Sequence, residues 1–385
     1  MPSADSSAAP FSLEDLLQAY LDCRRSKRRS RTALEFEEHL ERNLLGLYEE
    51  LQSGRYTPGR SICFVVTHPK PREVWAASFR DRVVHHLLYN HIADRFHRRF
   101  IASSCACIPG RGTLYAVRRL EHDVRSITEN WTHRAFYLKC DLANFFVSIH
   151  KPTLHDQLAT RIHEPWWRQL AEAVLFHDPR VDVDVRCPPK LLQLVPRHKS
   201  LFTAPDDRGL PIGNLSSQFF ANVYLDALDQ HCKHRLRTCY YTRYVDDFVI
   251  LHRSARRLKE CLQDIERFLP ETLGVHLNPH KTILQPVDRG VDFVGCVVKP
   301  WRTTVRRRVI ATAVQRLEHM HPDQALAAAN SYLGLTRHHA AHAQRARIAR
   351  AAKLLGHPIA GSLTKVYPAL HRASGTPSTE KSHDE

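Results

Sequence analysis

The chain has 385 residues, enough to bury a sizeable core and to hold two or three subdomains, with 56 lysines and arginines against 40 acids and a net charge of +16. That balance predicts a polyanionic partner. No apolar run approaches the ~20 residues of a membrane span, and the polar N-terminus has no signal-peptide core, so neither a membrane nor a secreted role is expected.

The ten cysteines form no Cys-x-x-Cys pair, the closest being Cys105-x-Cys107, and read as reduced thiols of a cytoplasmic protein. His338-His339-x-x-His342 has no cysteine or acid at finger spacing, which argues against zinc.

Residues 1–10 read as a disordered polar leader, followed by a helix over Ser12–Cys23 with Ser12 as cap and Asp15 three residues on. The basic run from Arg24 to Arg31 is either a solvated linker or an arm that contacts phosphates. Leu40, Leu44, Leu47 and Leu51 predict one amphipathic helix over Thr32–Gln52, capped by Thr32 and stopped by Gly54. Strands follow at Ile62–Val66 and Val74–Ala76, joined by the rigid turn Pro69-Lys70-Pro71-Arg72. Phe79–Phe100 reads as a long helix, and Ile108–Thr113 as a glycine-rich turn before another.

Ala135–Cys140 has strand character and runs into Asp141. Pro152–Phe176 reads as helical, and the proline-rich stretch 178–208 as an insertion or long connection. A turn containing Gly209 and Gly213 then leads into a helix that runs to Arg235. Tyr240–Val245 and Phe248–Leu251 have strand composition, with Asp246 and Asp247 where a two-residue hairpin turn falls. An amphipathic helix over Ala255–Leu269 carries Leu258, Leu262, Ile265 and Leu269 on one face. From Lys299 to His357 the composition is helical, with eleven basic residues against Glu318 and Asp323, a net +9. From Leu370 onward a polar tail is expected to be disordered.

A strand ending in Asp141, set against a hairpin tipped by Asp246 and Asp247, gives three carboxylates at one sheet edge. A solvated Asp-Asp turn is the plainer alternative. Adjacent carboxylates repel unless a cation lies between them, and hard oxygen donors of this kind suit Mg²⁺. Two such ions roughly 3.5–4 Å apart are the usual apparatus for in-line displacement at phosphorus.

These residues, Asp-x-x-x-Phe-Phe at 141–146 and Tyr-Val-Asp-Asp at 244–247, together with flanking blocks in the same order, resemble the reverse transcriptase family over roughly residues 33–358. The block Gly-Leu-Pro-Ile-Gly-Asn-Leu-Ser-Ser-Gln at 209–218 looks most like the polymerases of diversity-generating retroelements and their bacterial relatives. The resemblance implies an α+β right-hand polymerase, with a leader and basic arm (1–31), fingers (32–134), an antiparallel-sheet palm backed by helices (135–298), a helical thumb (299–358) and a tail (359–385). It implies addition of deoxynucleotides to a primer 3′-hydroxyl by Asp141, Asp246 and Asp247 holding two Mg²⁺ ions, with Mn²⁺ able to substitute. Lys281 would protonate or neutralise the leaving pyrophosphate.

The same resemblance places Lys70, Arg72 and Arg80 at nucleotide phosphates, although Asp81 beside Arg80 could equally serve a helix dipole. It makes Phe146 the steric gate under the sugar, with one of Phe145 and Phe146 a core residue. Ile212 stands where most of the family has Gln, a change that goes with error-prone copying at adenines. Gly213 would admit close backbone approach to nucleotide or template, and Gln218 would touch base or backbone. Gly110, Arg111 and Gly112 would form a template-contacting loop, and Phe293 and Gly295 a primer-grip turn. Implied partners are an RNA template, a DNA or RNA primer, deoxynucleoside triphosphates and a small basic accessory protein docking on the thumb, with no membrane. An active polymerase of antiviral defence and an inactive RNA-binding effector are the two other readings; the presence of all three acids argues against the effector.

Overall fold

The structure, a computed structural model, describes residues 10–25, 30–68 and 70–368. Residues 1–9 of the expected leader, 26–29 of the basic run, Pro69 and the tail from 369 lie outside the described residues. The chain forms two compact units, 1–285 and 286–385.

Unit 1 opens with α1 (Leu13–Arg24), α2 (Arg31–Glu37) and α3 (Leu40–Gln52). Ser12 and Asp15 form the expected capping box on α1, each side chain accepting from the other residue's backbone N–H. The single helix expected over 32–52 is instead two, with Ser30 rather than Thr32 at the N-cap of α2 and a break at Glu38 and His39. Ala33, Phe36, Leu40 and Leu44 stay in helical phase across the break, so periodicity does not reveal it. Asn43 Nδ2 donates to the freed Phe36 carbonyl at 2.9 Å.

Next come the antiparallel pair β1 (Ser61–Val66) and β2 (Arg72–Ala76), then α4 (Phe79–His97) and α5 (Thr113–Ile127). Strand β3 (Phe136–Asp141) leads to a short α6 (Phe145–Ser148). The helical reading of 152–176 resolves into α7 (Lys151–Ala159) and α8 (Pro165–Phe176), because Pro165 can start a helix but cannot continue one. The 178–208 stretch is not a free excursion. Its β4 (Val183–Val185) pairs in parallel with β1, its Leu201 N–H donates to the buried Glu73 carboxylate at 2.9 Å, and it carries a short α9 (Pro189–Leu192).

Helix α10 (Leu215–Gln230), continued by a wider π turn at His231–Arg235, packs on α4 and α7 and carries buried residues along nearly its whole length. Then follow β5 (Tyr240–Tyr244), β6 (Asp247–His252), α11 (Ala255–Phe268) and β7 (Ile283–Pro286). The four strands form a sheet in the order β5-β6-β3-β7. Leu138 and Cys140 of β3 and Phe248 and Ile250 of β6 are buried, and the apolar face of α11 (Leu258, Cys261, Ile265) covers these two strands.

Unit 2 holds the antiparallel meander β8 (Val291–Phe293), β9 (Cys296–Lys299) and β10 (Arg302–Val305), then α12 (Arg307–Glu318), α13 (Pro322–Thr336) and α14 (His342–Leu354). The expectation of helix from Lys299 onward is corrected by β10. Its alternating burial, with Thr303 and Val305 inward, is a strand pattern too short to stand out from the basic residues around it. Among the described residues no helix is long and apolar enough to cross a membrane.

Candidate active site

The antiparallel register sets Asp141, the last residue of β3, directly opposite Asp247, the first of β6. Tyr244 also faces Asp247 across the β5–β6 hairpin, so the two-residue turn is Val245–Asp246, one residue earlier than the sequence suggests. Asp247 therefore belongs to the strand and only Asp246 to the turn. The shift comes with an unusual backbone: Val245 lies at φ +55°, where a hairpin turn usually places glycine and a β-branched residue is a genuine outlier.

Backbone bonds tie the acids together. Leu142 N–H donates to the Asp246 carbonyl at 3.1 Å, and Asn278 N–H donates to the Asp141 carbonyl at 2.8 Å. The second bond belongs to the segment before Lys281, whose ammonium lies 2.6 Å from Asp141 Oδ1. Lys139 Nζ lies 3.3 Å from Asp247 Oδ2, while Asp247 Oδ1 is buried with no hydrogen-bond partner. Sequence reasoning missed Lys139. The available signal was its position two residues before Asp141, which in a strand puts both side chains on one face.

Burial pushes the Asp247 carboxyl up to about 6, with Asp141 and Asp246 adding to the rise and Lys139 opposing it. Asp246 is raised by burial and then by Asp141, against its own backbone, Lys281 and Arg72. Among the described residues no group of three or more His, Cys, Asp or Glu is set to hold a metal ion, and Asp141 and Asp247 each engage a lysine. The donor chemistry nevertheless fits a hard divalent cation. Three carboxylates share one sheet end, one buried oxygen lacks a partner, and burial, with repulsion between the acids adding to it, raises two proton affinities, a cost that a cation relieves.

The remaining predicted residues divide. Lys70 and Arg72 are exposed, and the charge of Arg72 is felt at Asp246. Arg80 is not held out for a ligand: it pairs with Glu50, reaches Asp81 and the Thr57 carbonyl at 3.2 Å each, and lies over the Tyr56 ring. Asp81 caps this arrangement, accepting from Ser78 Oγ, Tyr56 OH and Gly59 N–H. Of the two phenylalanines, Phe145 is the core residue and Phe146 is only partly buried, edge-on to it at 5.4 Å.

The close approach that Gly213 permits is to β2: an added Cβ would lie 2.8 Å from the Trp75 carbonyl oxygen, and the preceding Ile212 carbonyl accepts from Trp75 N–H at 2.7 Å. Gln218 is exposed beside Cys107, 3.4 Å from its sulfur. Arg111 clamps its own loop, donating to the Ile101 and Ser104 carbonyls at 2.7 Å each. Gly110 sits at φ +74° and Gly112 is extended. In unit 2, Phe293 is a fully buried core side chain that anchors the turn rather than presenting a surface, and Gly295 follows it at φ +88° with open space around it.

A family model described as "Reverse transcriptase (RNA-dependent DNA polymerase)" matches residues 68–298. With more than half its length matched, the chain belongs to the reverse transcriptase family, nucleotidyltransferases that act as RNA-directed DNA polymerases and use divalent metal ions. Protein YkfC of Escherichia coli K12 is 22% identical over 283 residues, covering 65% of this chain and 69% of that protein. Protein P of a hepatitis B virus genotype C isolate is 29% identical over 103 residues, 27% of this chain and 12% of the viral protein. A putative COX1/OXI3 intron 2 protein of Saccharomyces cerevisiae is 36% identical over 76 residues, 19% of this chain and 9% of that protein. Among solved structures, an apo telomerase of Candida tropicalis truncated from its C-terminal domain aligns with TM-score 0.45 at 12% identity, over 70% of this chain and 60% of that one. The telomerase of Candida albicans with a fragment of telomeric RNA gives 0.41 at 12%, over 67% and 50%.

Proposed function

We propose that this chain copies an RNA template into DNA within a diversity-generating retroelement, adding deoxynucleotides to a primer 3′-hydroxyl. Residues 32–134 would act as fingers, 135–298 as palm and 299–358 as thumb. The observation that carries the reading is the pairing of Asp141 with Asp247 beside Asp246 at one sheet end. The block at 209–218, with Ile212 before the glycine, supports the retroelement assignment.

Divalent ions held by Asp141, Asp246 and Asp247 would supply acidity to the attacking hydroxyl and charge neutralisation to the triphosphate. Arg72 at the start of β2 and Lys70 just before it are exposed and would bind that triphosphate. Lys281 is held at the site by Asp141 and carries the proton or positive charge needed as pyrophosphate leaves. Phe146, partly buried beside Phe145, would lie under the sugar and favour sugars lacking a 2′-hydroxyl. The exposed arginines of unit 2, among them Arg302, Arg307, Arg308 and Arg316, supply sequence-independent phosphate contacts and a docking face for an accessory subunit.

The test is extension of oligo-dT on poly-rA with dTTP and Mg²⁺. The parent should extend, and Asp246→Ala should lose about 10³-fold in rate, since such charge stabilisation is worth several kcal/mol. Equal extension by both chains sinks the assignment. If neither extends, repeating the assay with the products of neighbouring genes separates partner dependence from inactivity.

A further inference from the structure

We infer that Arg243, braced by Asp229 and Asn222, is a positioning residue that holds the Val245–Asp246 turn in its strained conformation and so aims Asp246. This rests on the reading of Asp246 given above. Arg243 lies on β5, three residues before Asp246, and is 1% exposed; its ion-pair partner Asp229 on α10 is 0% exposed.

A guanidinium has five N–H donors, and here all five are used. Nε and Nη2 form a fork on the two Asp229 oxygens at 2.7 and 2.6 Å. The second Nη2 donor goes to Ser104 Oγ at 2.8 Å. Nη1 donates to Asn222 Oδ1 at 3.2 Å and to the Val245 carbonyl at 3.0 Å. That last contact fastens the brace to the first residue of the turn.

The surroundings leave the brace little freedom. Tyr241 OH donates to Asp229 Oδ1 at 2.7 Å, and Asn222 Nδ2 donates to the Ala106 carbonyl at 2.7 Å. Backbone bonds lock Arg243 itself, its N–H to the Ser103 carbonyl and its carbonyl to Cys105 N–H, each at 2.9 Å. A buried ion pair is weak as a source of stability, because desolvation offsets most of its attraction. What this one provides is direction. A β-branched residue at φ +55° relaxes unless its neighbours over-determine it, and the Arg243 bond to the Val245 carbonyl is such a constraint.

The experiment uses the full chain and two readouts: Mn²⁺ affinity, from the electron paramagnetic resonance of free ion, and the Mg²⁺ concentration giving half-maximal primer extension. Arg243→Lys keeps the charge and loses the fork, so both should weaken roughly 10–100-fold, as when an outer-shell partner of a metal ligand is lost. Adding Val245→Gly should recover part of the loss, since glycine adopts positive φ unaided. Asn222→Ala, which spares the ion pair, should shift both readouts less and in the same direction.

An Arg243→Lys chain that matches the parent in Mn²⁺ affinity overturns the brace, as does a loss that Val245→Gly leaves untouched. Should Arg243→Lys not fold, unchanged Mn²⁺ affinity in Asn222→Ala overturns it instead. Asp246→Ala keeps the two ideas apart. Full extension by that variant removes the site reading itself, whereas a dead Asp246→Ala beside a normal Arg243→Lys removes only the brace.

Discussion

Two lysines stand among the three acids, and each offsets part of the repulsion there: Lys281 at Asp141 and Lys139 at Asp247. Replacing Lys139 by Gln leaves Asp247 buried beside two other carboxylates, and should lower the stability of the metal-free chain by about 1–2 kcal/mol, allowing for partial exposure of the pair. Thermal unfolding with and without Mg²⁺ checks this, and the ion should narrow the gap between variant and parent.

His85 gives a separate, pH-dependent prediction. Burial lowers its pKa from 6.5 to about 4, with Asp81 opposing and His86, Arg82 and His177 reinforcing. The unfolded chain thus takes up a proton that the folded chain refuses. Stability from His85 is complete above pH 6.5 and is lost as pH falls toward 4, by about 3 kcal/mol at the limit. His85→Gln, whose amide can keep the 3.4 Å contact that His85 Nδ1 makes with Ser216 Oγ, should flatten the acid side of a plot of Tm against pH. At this scale the acids were legible in the sequence, because a strand ending in Asp and an Asp-Asp between two apolar runs are local signals. Lys139 and Arg243 were not, since the partners that give them meaning lie 108 residues and 14 residues away.

Among the elements, the Ile212–Gly213 segment and β2 are fitted to each other at backbone distance. Gly213→Ala would press its Cβ on the Trp75 carbonyl and strain a φ of +131°, so it should cost about 2–3 kcal/mol in urea unfolding. Gly295→Ala, at positive φ but in open space, should cost about 1 kcal/mol. The contrast explains what the sequence showed and what it hid. Both glycines read as turn positions in the sequence, yet only the fold shows that backbone closes on Gly213 while Gly295 has open space around it. Likewise amphipathic helices were legible from period and strands from composition, while the break at His39 kept the apolar phase and vanished into it; the break before Pro165 is signalled only by the proline itself. The short β4 and β10 carry too few residues for a pattern.

For the whole molecule, the net charge of +16 makes nucleic-acid affinity a matter of counterion release. If unit 2 tracks duplex backbone, the log of primer–template affinity should fall linearly with the log of salt concentration. Arg307→Gln and Arg308→Gln, both exposed at the start of α12, should each reduce that slope by about 1 without changing template preference. Filter binding across a salt series reads it directly, and an unchanged slope removes the proposed phosphate contacts.

The parallel pairing of β1 with β4 also bears on how the chain is made. Ser61 must wait for Val183. At 5–20 residues per second, the intervening stretch of about 120 residues keeps the ribosome busy for roughly 6–24 s after β1 has been synthesised. Throughout that interval β1 has an open edge and Glu73 lacks the Leu201 N–H that satisfies it in the finished fold. The hairpin bearing Lys70 and Arg72 is thus made early and gains its third strand only after Asp141 has been synthesised.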